Sequence, residues 1–311
     1  MKFKAAILKE QKSPLIIDEI ELINKLEVGQ ILVKVNFSGI CGSQIGEIEG
    51  VKGPDKFLPH LLGHEGSGTV IDVGPGVTSV NTGDNVVLHW MKGNGIESST
   101  PIYKWGSKKI NAGWVTTFNE YAVISENRCT KISKDLDLKI AALFGCAITT
   151  GFGVIENNAK LKMGESVVVF GAGGIGLNII QAAKLSSAWP IIAVDIYDNR
   201  LKLASKLGAT HIINSLNKEP ESSILKITSN KGLDVFIDNT GIPKIIELGY
   251  QIVSKKGKVV LVGVPKSGSN INIFSLPLHF GKTIIGSQGG EVEPSKDIKR
   301  YISLYENRLV D

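Results

Sequence analysis

The sequence predicts an α/β protein of two domains: an antiparallel β half followed by a doubly wound parallel sheet. Three observations predict it. Residues 1–148 carry short, alternating apolar–polar runs punctuated by glycine, the pattern of half-buried strands joined by turns. Beyond 148, continuous apolar runs alternate with segments of helical spacing, as strands buried on both faces and separated by helices require. A glycine-rich turn sits between the first of those strands and the helix after it. A chain of 311 residues suits about two domains at ~100–200 residues each.

In the first half, Ile31–Asn36 alternates as a strand that follows Gly29-Gln30. Gly68–Val73 is a second strand, ended by Gly74-Pro75-Gly76. Val86–Trp90 is a third and Phe118–Ser125 a fourth. Strands at this spacing suggest a small barrel or sandwich. Met91–Gly113 is polar and rich in Gly and Ser, and reads as a long loop. In the second half, Glu165–Phe170, Pro190–Asp195, Leu233–Asp238 and Gly257–Val262 are apolar strands. Leu177–Leu185, Arg200–Leu207 and Lys244–Ser254 between them have helical spacing, and the alternation runs through Ile285. The expected domains are 1–148, 149–288, and a final segment 289–311 that begins with the amphipathic run Ser295–Tyr305.

Composition narrows the function. The apolar share of 42% and charged share of 21% are ordinary for a globular protein. A formal charge of +5 with Lys and Arg interspersed among acids gives no basic tract of the nucleic-acid-binding kind. No run reaches the roughly 18 apolar residues of a membrane span, and the start lacks a signal-peptide pattern. A cytoplasmic protein without nucleic-acid or membrane partners is expected. Cys41, Cys129 and Cys146 are too few for a disulfide framework, which leaves metal ligation open to them.

Gly171-Ala172-Gly173-Gly174-Ile175-Gly176 follows an apolar strand and opens a helix, the context in which a GxGxxG pattern reads as a dinucleotide site. Gly171 permits the tight turn, Gly173 lets the backbone approach a pyrophosphate, and Gly176 lets helix and strand pack closely. The helix N-terminus offers N–H groups to phosphate. Asp195 lies 19 residues after Gly176 at the end of the next strand. An acid there accepts from the ribose hydroxyls of NAD and repels the 2′-phosphate of NADP. Arg200 is placed to close over the adenosine ribose.

Three further segments precede that turn: Gly39-Ile40-Cys41-Gly42-Ser43, Gly63-His64-Glu65-Gly66-Ser67-Gly68, and Phe144-Gly145-Cys146 running on to Gly153. In this order, ahead of the glycine turn, they resemble the zinc-dependent alcohol dehydrogenases of the medium-chain family over nearly the whole chain. The resemblance implies a GroES-like antiparallel β catalytic domain followed by a Rossmann domain. It implies one catalytic zinc on Cys41, His64 and Cys146, a donor set that leaves a fourth position open. Glu65 matches a glutamate beside the metal. Ser43 matches the hydroxyl that takes the proton of a bound alcohol, whose pKa the zinc lowers. Trp90 matches a position lining the substrate pocket. The cofactor set becomes Thr150, against the nicotinamide, with Gly171, Gly173, Gly174, Ile175, Gly176, Asp195, Arg200, Val262 and Val264. The implied reaction moves a hydride between an alcohol carbon and NAD, giving an aldehyde or ketone. A polyol or sugar alcohol is the alternative substrate, and a homodimer or homotetramer through the Rossmann domain is the expected assembly. Cys129 has no matching role and is expected to be a small buried residue.

The chain departs from the family pattern in four places. Gln44 stands where many members have an aspartate that tunes the zinc. Gly46 stands where a histidine often relays the proton. Residues 91–113 lack the four cysteines of a structural zinc. Family members continue for roughly 40–60 residues, an ordinary fraction of a domain, through a segment that returns to complete the first domain. The given sequence stops at Asp311. That ending raises the expectation of a truncated or unusually short member that binds NAD, retains zinc weakly, turns over slowly and aggregates through exposed apolar surface.

Overall fold

A computed structural model describes all 311 residues, Met1 to Asp311. They form two compact units. One comprises Met1–Cys146 with Glu293–Ser303, the other Ala147–Val292 with Leu304–Asp311. The final segment is thus divided. In the first unit, the Asn94 N–H donates to Ser295 Oγ at 2.8 Å. In the second, the Asp311 N–H donates to Gln181 Oε1 at 2.8 Å.

The first unit holds ten strands: β1 (Lys2–Leu8), β2 (Ile16–Leu22), β3 (Gln30–Ser38), β4 (His60–Leu61), β5 (Glu65–Val73), β6 (Asn85–His89), β7 (Ile102–Trp105), β8 (Lys108–Asn111), β9 (Tyr121–Ser125) and β10 (Cys129–Lys131). Five close a small barrel in the order β1-β2-β7-β8-β4, and five form a sheet in the order β10-β6-β5-β3-β9. Phe3, Ile7, Ile20, Leu61, Tyr103 and Ile110 belong to one buried cluster. Ile31, Val33, Val70, Val86, Leu88 and Ile124 belong to another. Alternation along each strand puts these side chains on a single face. Short helices α1 (Gly42–Ile48) and α2 (Leu138–Ala141) interrupt the strands.

One expectation is corrected here. The stretch 91–113 is not a single loop, because β7 and β8 pair within it as an antiparallel hairpin. Polar neighbours conceal the signal: Lys104, Lys108 and Lys109 share the strands with only a few apolar residues. Tyr103 and Ile110 are fully buried, and their burial drives the hairpin onto the barrel. The Val123 N–H donates to the Tyr103 hydroxyl at 2.9 Å, which gives the buried phenol its polar partner.

The second unit holds β11 (Val167–Phe170), β12 (Ile191–Asp195), β13 (His211–Asn214), β14 (Leu233–Asp238), β15 (Val253–Leu261) and β16 (Thr283–Gly286). The sheet runs β13-β12-β11-β14-β15-β16, and every pairing is parallel. Helices α3 (Ala147–Gly153), α4 (Gly174–Leu185), α5 (Asp198–Leu207), α6 (Pro220–Ile227), α7 (Pro243–Ile252) and α8 (Leu276–His279) accompany these strands. β13 and α6 fall in a stretch to which the sequence reading assigns no element. There Pro220 sits at the helix start and Glu219 accepts from the Ser222 N–H at 2.7 Å, an N-terminal cap. A last helix, α9 (Pro294–Glu306), covers the expected amphipathic run. The order of strands reverses between β11 and β14, the crevice where open α/β sheets bind ligands. No single helix is long and apolar enough to cross a membrane.

Candidate active site

The first unit gathers three soft donors that lie far apart in sequence. Cys41 immediately precedes α1 in an extended conformation. His64 stands just before β5, after a Gly63 with φ of +91°. Cys146 follows the 3₁₀ turn Ala142–Gly145. One ligand atom from each lies within 4.8 Å of the other two. Glycine makes the third approach possible. A Cβ at Gly145 would sit 2.2 Å from the Leu88 carbonyl oxygen and 2.9 Å from Glu65 Cα, so no larger residue lets this turn lie against β5 and β6.

The electrostatics suit a cation. The Cys41 thiol is pushed down to about 3, first by the hydrogen bond to Cys146, against burial, with His64 and Ser43 adding to the effect. A thiolate is the form that ligates metal. His64 Nε2 is buried and has no hydrogen-bond partner, an expensive state for a polar atom that a metal would relieve. None of the three cysteines is in a disulfide. Two sulfurs and one imidazole nitrogen therefore fit zinc in chemistry and in placement.

Other predicted residues surround this corner. Ser43 Oγ donates to Cys41 Sγ at 3.5 Å. The Trp90 ring lies 6.3 Å from the His64 ring at 60°. Glu65 is almost fully buried, and its carbonyl accepts from Thr117 Oγ1 at 3.1 Å and Ser38 Oγ at 3.2 Å. Gln44 is buried and lies 3.0 Å from His64 Nδ1. Cys129 belongs to the sheet core instead, and burial pushes its thiol up to about 12. Sequence reasoning missed Glu47, which accepts from Gln44 Nε2 at 3.1 Å. The available signal was its spacing of three residues from Gln44 on one helix.

In the second unit the glycine turn has its own geometry. Gly171 has φ of +97°, a conformation that L side chains resist. A Cβ at Gly176 would lie 2.0 Å from the Gly171 carbonyl oxygen, whereas one at Gly173 or Gly174 would meet nothing within 4 Å. The first glycine shapes the turn, the last packs the helix on it, and the middle pair leaves open space at the start of α4. That space and the unpaired helix N–H groups fit a pyrophosphate. Asp195 Oδ2 accepts from the Ala172 N–H at 2.7 Å and Oδ1 from the Tyr197 N–H at 3.0 Å. These bonds hold the carboxylate beside the turn. Arg200 Nη1 lies 3.6 Å from Asp195 Oδ2, and its guanidinium stacks 4.7 Å from the centre of the Tyr197 ring.

Asn239 was not anticipated; its Nδ2 donates to the Gly171 carbonyl at 3.2 Å from the end of β14. The Val262 N–H donates to the Asp238 carbonyl at 2.8 Å, which sets the loop that carries the exposed Val264. Ile175 is in the first turn of α4, partly buried. Thr150 is buried within α3 of the same unit.

Comparisons with known proteins give the family. Residues 27–134 match the alcohol dehydrogenase GroES-like domain, and residues 174–307 match the zinc-binding dehydrogenase family. Alcohol dehydrogenase 6 of Peromyscus maniculatus is 33% identical, over 98% of this chain and 88% of its own length. S-(hydroxymethyl)glutathione dehydrogenase of Synechocystis is 30% identical, over 94% of this chain and 86% of its own. Among solved structures, benzyl alcohol dehydrogenase from Acinetobacter calcoaceticus superposes with a TM-score of 0.90 at 31% identity, covering all of this chain and 90% of that one. From these matches, the chain belongs to the zinc-dependent medium-chain alcohol dehydrogenase family.

Proposed function

We propose that the protein oxidises an alcohol carbon to a carbonyl with NAD as hydride acceptor, using one zinc ion on Cys41, His64 and Cys146. The observation that carries this reading is the convergence of those three donors within 4.8 Å around a buried imidazole nitrogen without a partner. When bound, zinc supplies a Lewis acid that makes an alcohol proton easier to remove, and NAD supplies the hydride acceptor. The chain's own residues do the rest. Ser43, beside the Cys41 sulfur and partly exposed, accepts a hydrogen bond from the alcohol and passes its own hydroxyl proton to water as the alcohol proton is taken. Trp90 walls the same corner and narrows it toward flat or slender substrates, so a primary alcohol, aromatic or aliphatic, is favoured. Glu65 braces the strand that follows His64.

The glycine turn at Gly171–Gly176 binds the pyrophosphate, with Ile175 and the start of α4 as its floor. Asp195 holds the adenosine ribose and disfavours NADP, and Arg200 covers it. Thr150, Val262 and Val264 complete the nicotinamide side. In this reading the enzyme is cytoplasmic and works as a homodimer or homotetramer. Support for self-association comes from the second unit, where β16 is an edge strand and Phe274, Leu276 and Phe280 are exposed. An NAD-linked activity screen across primary, secondary, aromatic and polyhydric alcohols tests the reaction, with zinc quantified in the same sample. Turnover restricted to zinc-loaded protein is expected. Equal turnover in chelator-stripped protein, or none with any alcohol, contradicts the reading.

A further inference from the structure

The Gln44 amide, buried between α1 and the segment before β5, meets three neighbours. Its Oε1 accepts from the Gly63 N–H at 2.5 Å. Its Nε2 lies 3.1 Å from Glu47 Oε2 and 3.0 Å from His64 Nδ1. A primary amide carries one acceptor oxygen and one NH₂ donor on opposite corners. The Gly63 donor and the Glu47 carboxylate select the same orientation, with oxygen toward Gly63 and NH₂ toward Glu47. Turning the amide over would set donor against donor at Gly63 and oxygen against carboxylate at Glu47. The NH₂ is therefore also the group presented to His64 Nδ1, which must accept. A neutral imidazole that accepts at Nδ1 carries its hydrogen on Nε2, the nitrogen left without a hydrogen-bond partner in the buried corner.

We infer that Gln44, its amide fixed by the Gly63 N–H and Glu47, is a positioning residue for His64: it holds the imidazole in the tautomer whose Nε2 has no free lone pair, and so loosens the zinc site. The inference rests on the zinc reading above. Most metal-bound histidines give their second ring N–H to an acceptor, and such partners change metal affinity by about 10–100-fold. Here the second ring nitrogen meets a donor. An aspartate at position 44 would offer oxygens to both the Gly63 N–H and a His64 Nδ1–H. An amide at position 47 would leave Gln44 as it is, because the Gly63 N–H still selects the same orientation.

Two measurements on the full chain test this. ¹⁵N spectra of zinc-stripped protein report the His64 tautomer, with a His64→Asn chain identifying the signal. Chelator competition then gives zinc affinity for the wild type, Glu47→Gln and Gln44→Asp. The expected results are an Nε2–H tautomer in the wild type and in Glu47→Gln, an Nδ1–H tautomer in Gln44→Asp, and zinc held about tenfold more tightly by Gln44→Asp alone. The carboxylate added in Gln44→Asp also favours a cation by charge, so the tautomer is the deciding readout. An Nδ1–H tautomer in the wild type, or an Nε2–H tautomer kept in Gln44→Asp, overturns the inference. If Gln44→Asp does not fold, the wild-type tautomer decides it. Zinc retained in full by Cys146→Ala would instead overturn the ligand reading, and the tautomer result would stand apart from it.

Discussion

The metal corner of the first unit and the glycine turn of the second are built on opposite principles. The corner collects side chains from residues 41, 64 and 146, held by long-range contacts between β5, β6 and the turns that lie on them. The glycine turn is one contiguous segment, Gly171–Gly176, whose work is done by backbone and by space left empty. In the corner, function depends on which atoms are present. In the turn, it depends on which atoms are missing. The two sites should therefore fail in different ways and separately.

The sharpest way to break the comparison is Cys146→Ala. It removes one of three donors, and a near-complete loss of bound zinc and of turnover is expected, with NAD affinity unchanged by titration. A parallel loss of NAD binding would show that the sites are not separable. Ser43→Ala should have the next largest effect. Zinc content and NAD affinity should hold while hydride transfer falls about 10²–10⁴-fold, the usual range for lost general acid–base help. An unchanged rate, with chemistry shown to be limiting by a deuterium isotope effect, would remove Ser43 from the mechanism. Asp195→Gly should be milder. It removes the charge that repels a 2′-phosphate, so the preference for NAD over NADP should shrink by about tenfold, roughly 1.4 kcal/mol. Equal binding of the two cofactors by the unaltered protein would contradict the role given to Asp195.

The same contrast explains what the sequence made legible. The parallel sheet was readable because its strands are continuous apolar runs, such as Val167–Phe170 and Val235–Ile237, and because the glycines of the turn are contiguous in sequence. The β7–β8 hairpin was hidden because at least half of each strand is exposed, Lys104, Lys108 and Lys109 among those residues, and two buried residues, Tyr103 and Ile110, decide its fate. The metal ligands were identified through family resemblance, since nothing local to Cys41 says that His64 and Cys146 will meet it. The link from Glu47 through Gln44 to His64 was invisible for a similar reason. One half is helix spacing, but the other half depends on how Gly63 and His64 fold back onto α1. Position 44 departs from the family's usual aspartate, and the geometry there turns that departure into a specific hydrogen-bond mismatch.

The central claim is the donor set, and X-ray absorption at the zinc edge measures it most directly. The account predicts one zinc per chain with two sulfurs at about 2.3 Å and one imidazole nitrogen at about 2.0–2.1 Å, with one sulfur lost from any zinc that remains in Cys146→Ala. A zinc shell of nitrogen and oxygen only, or a sulfur count unchanged in that variant, would contradict it.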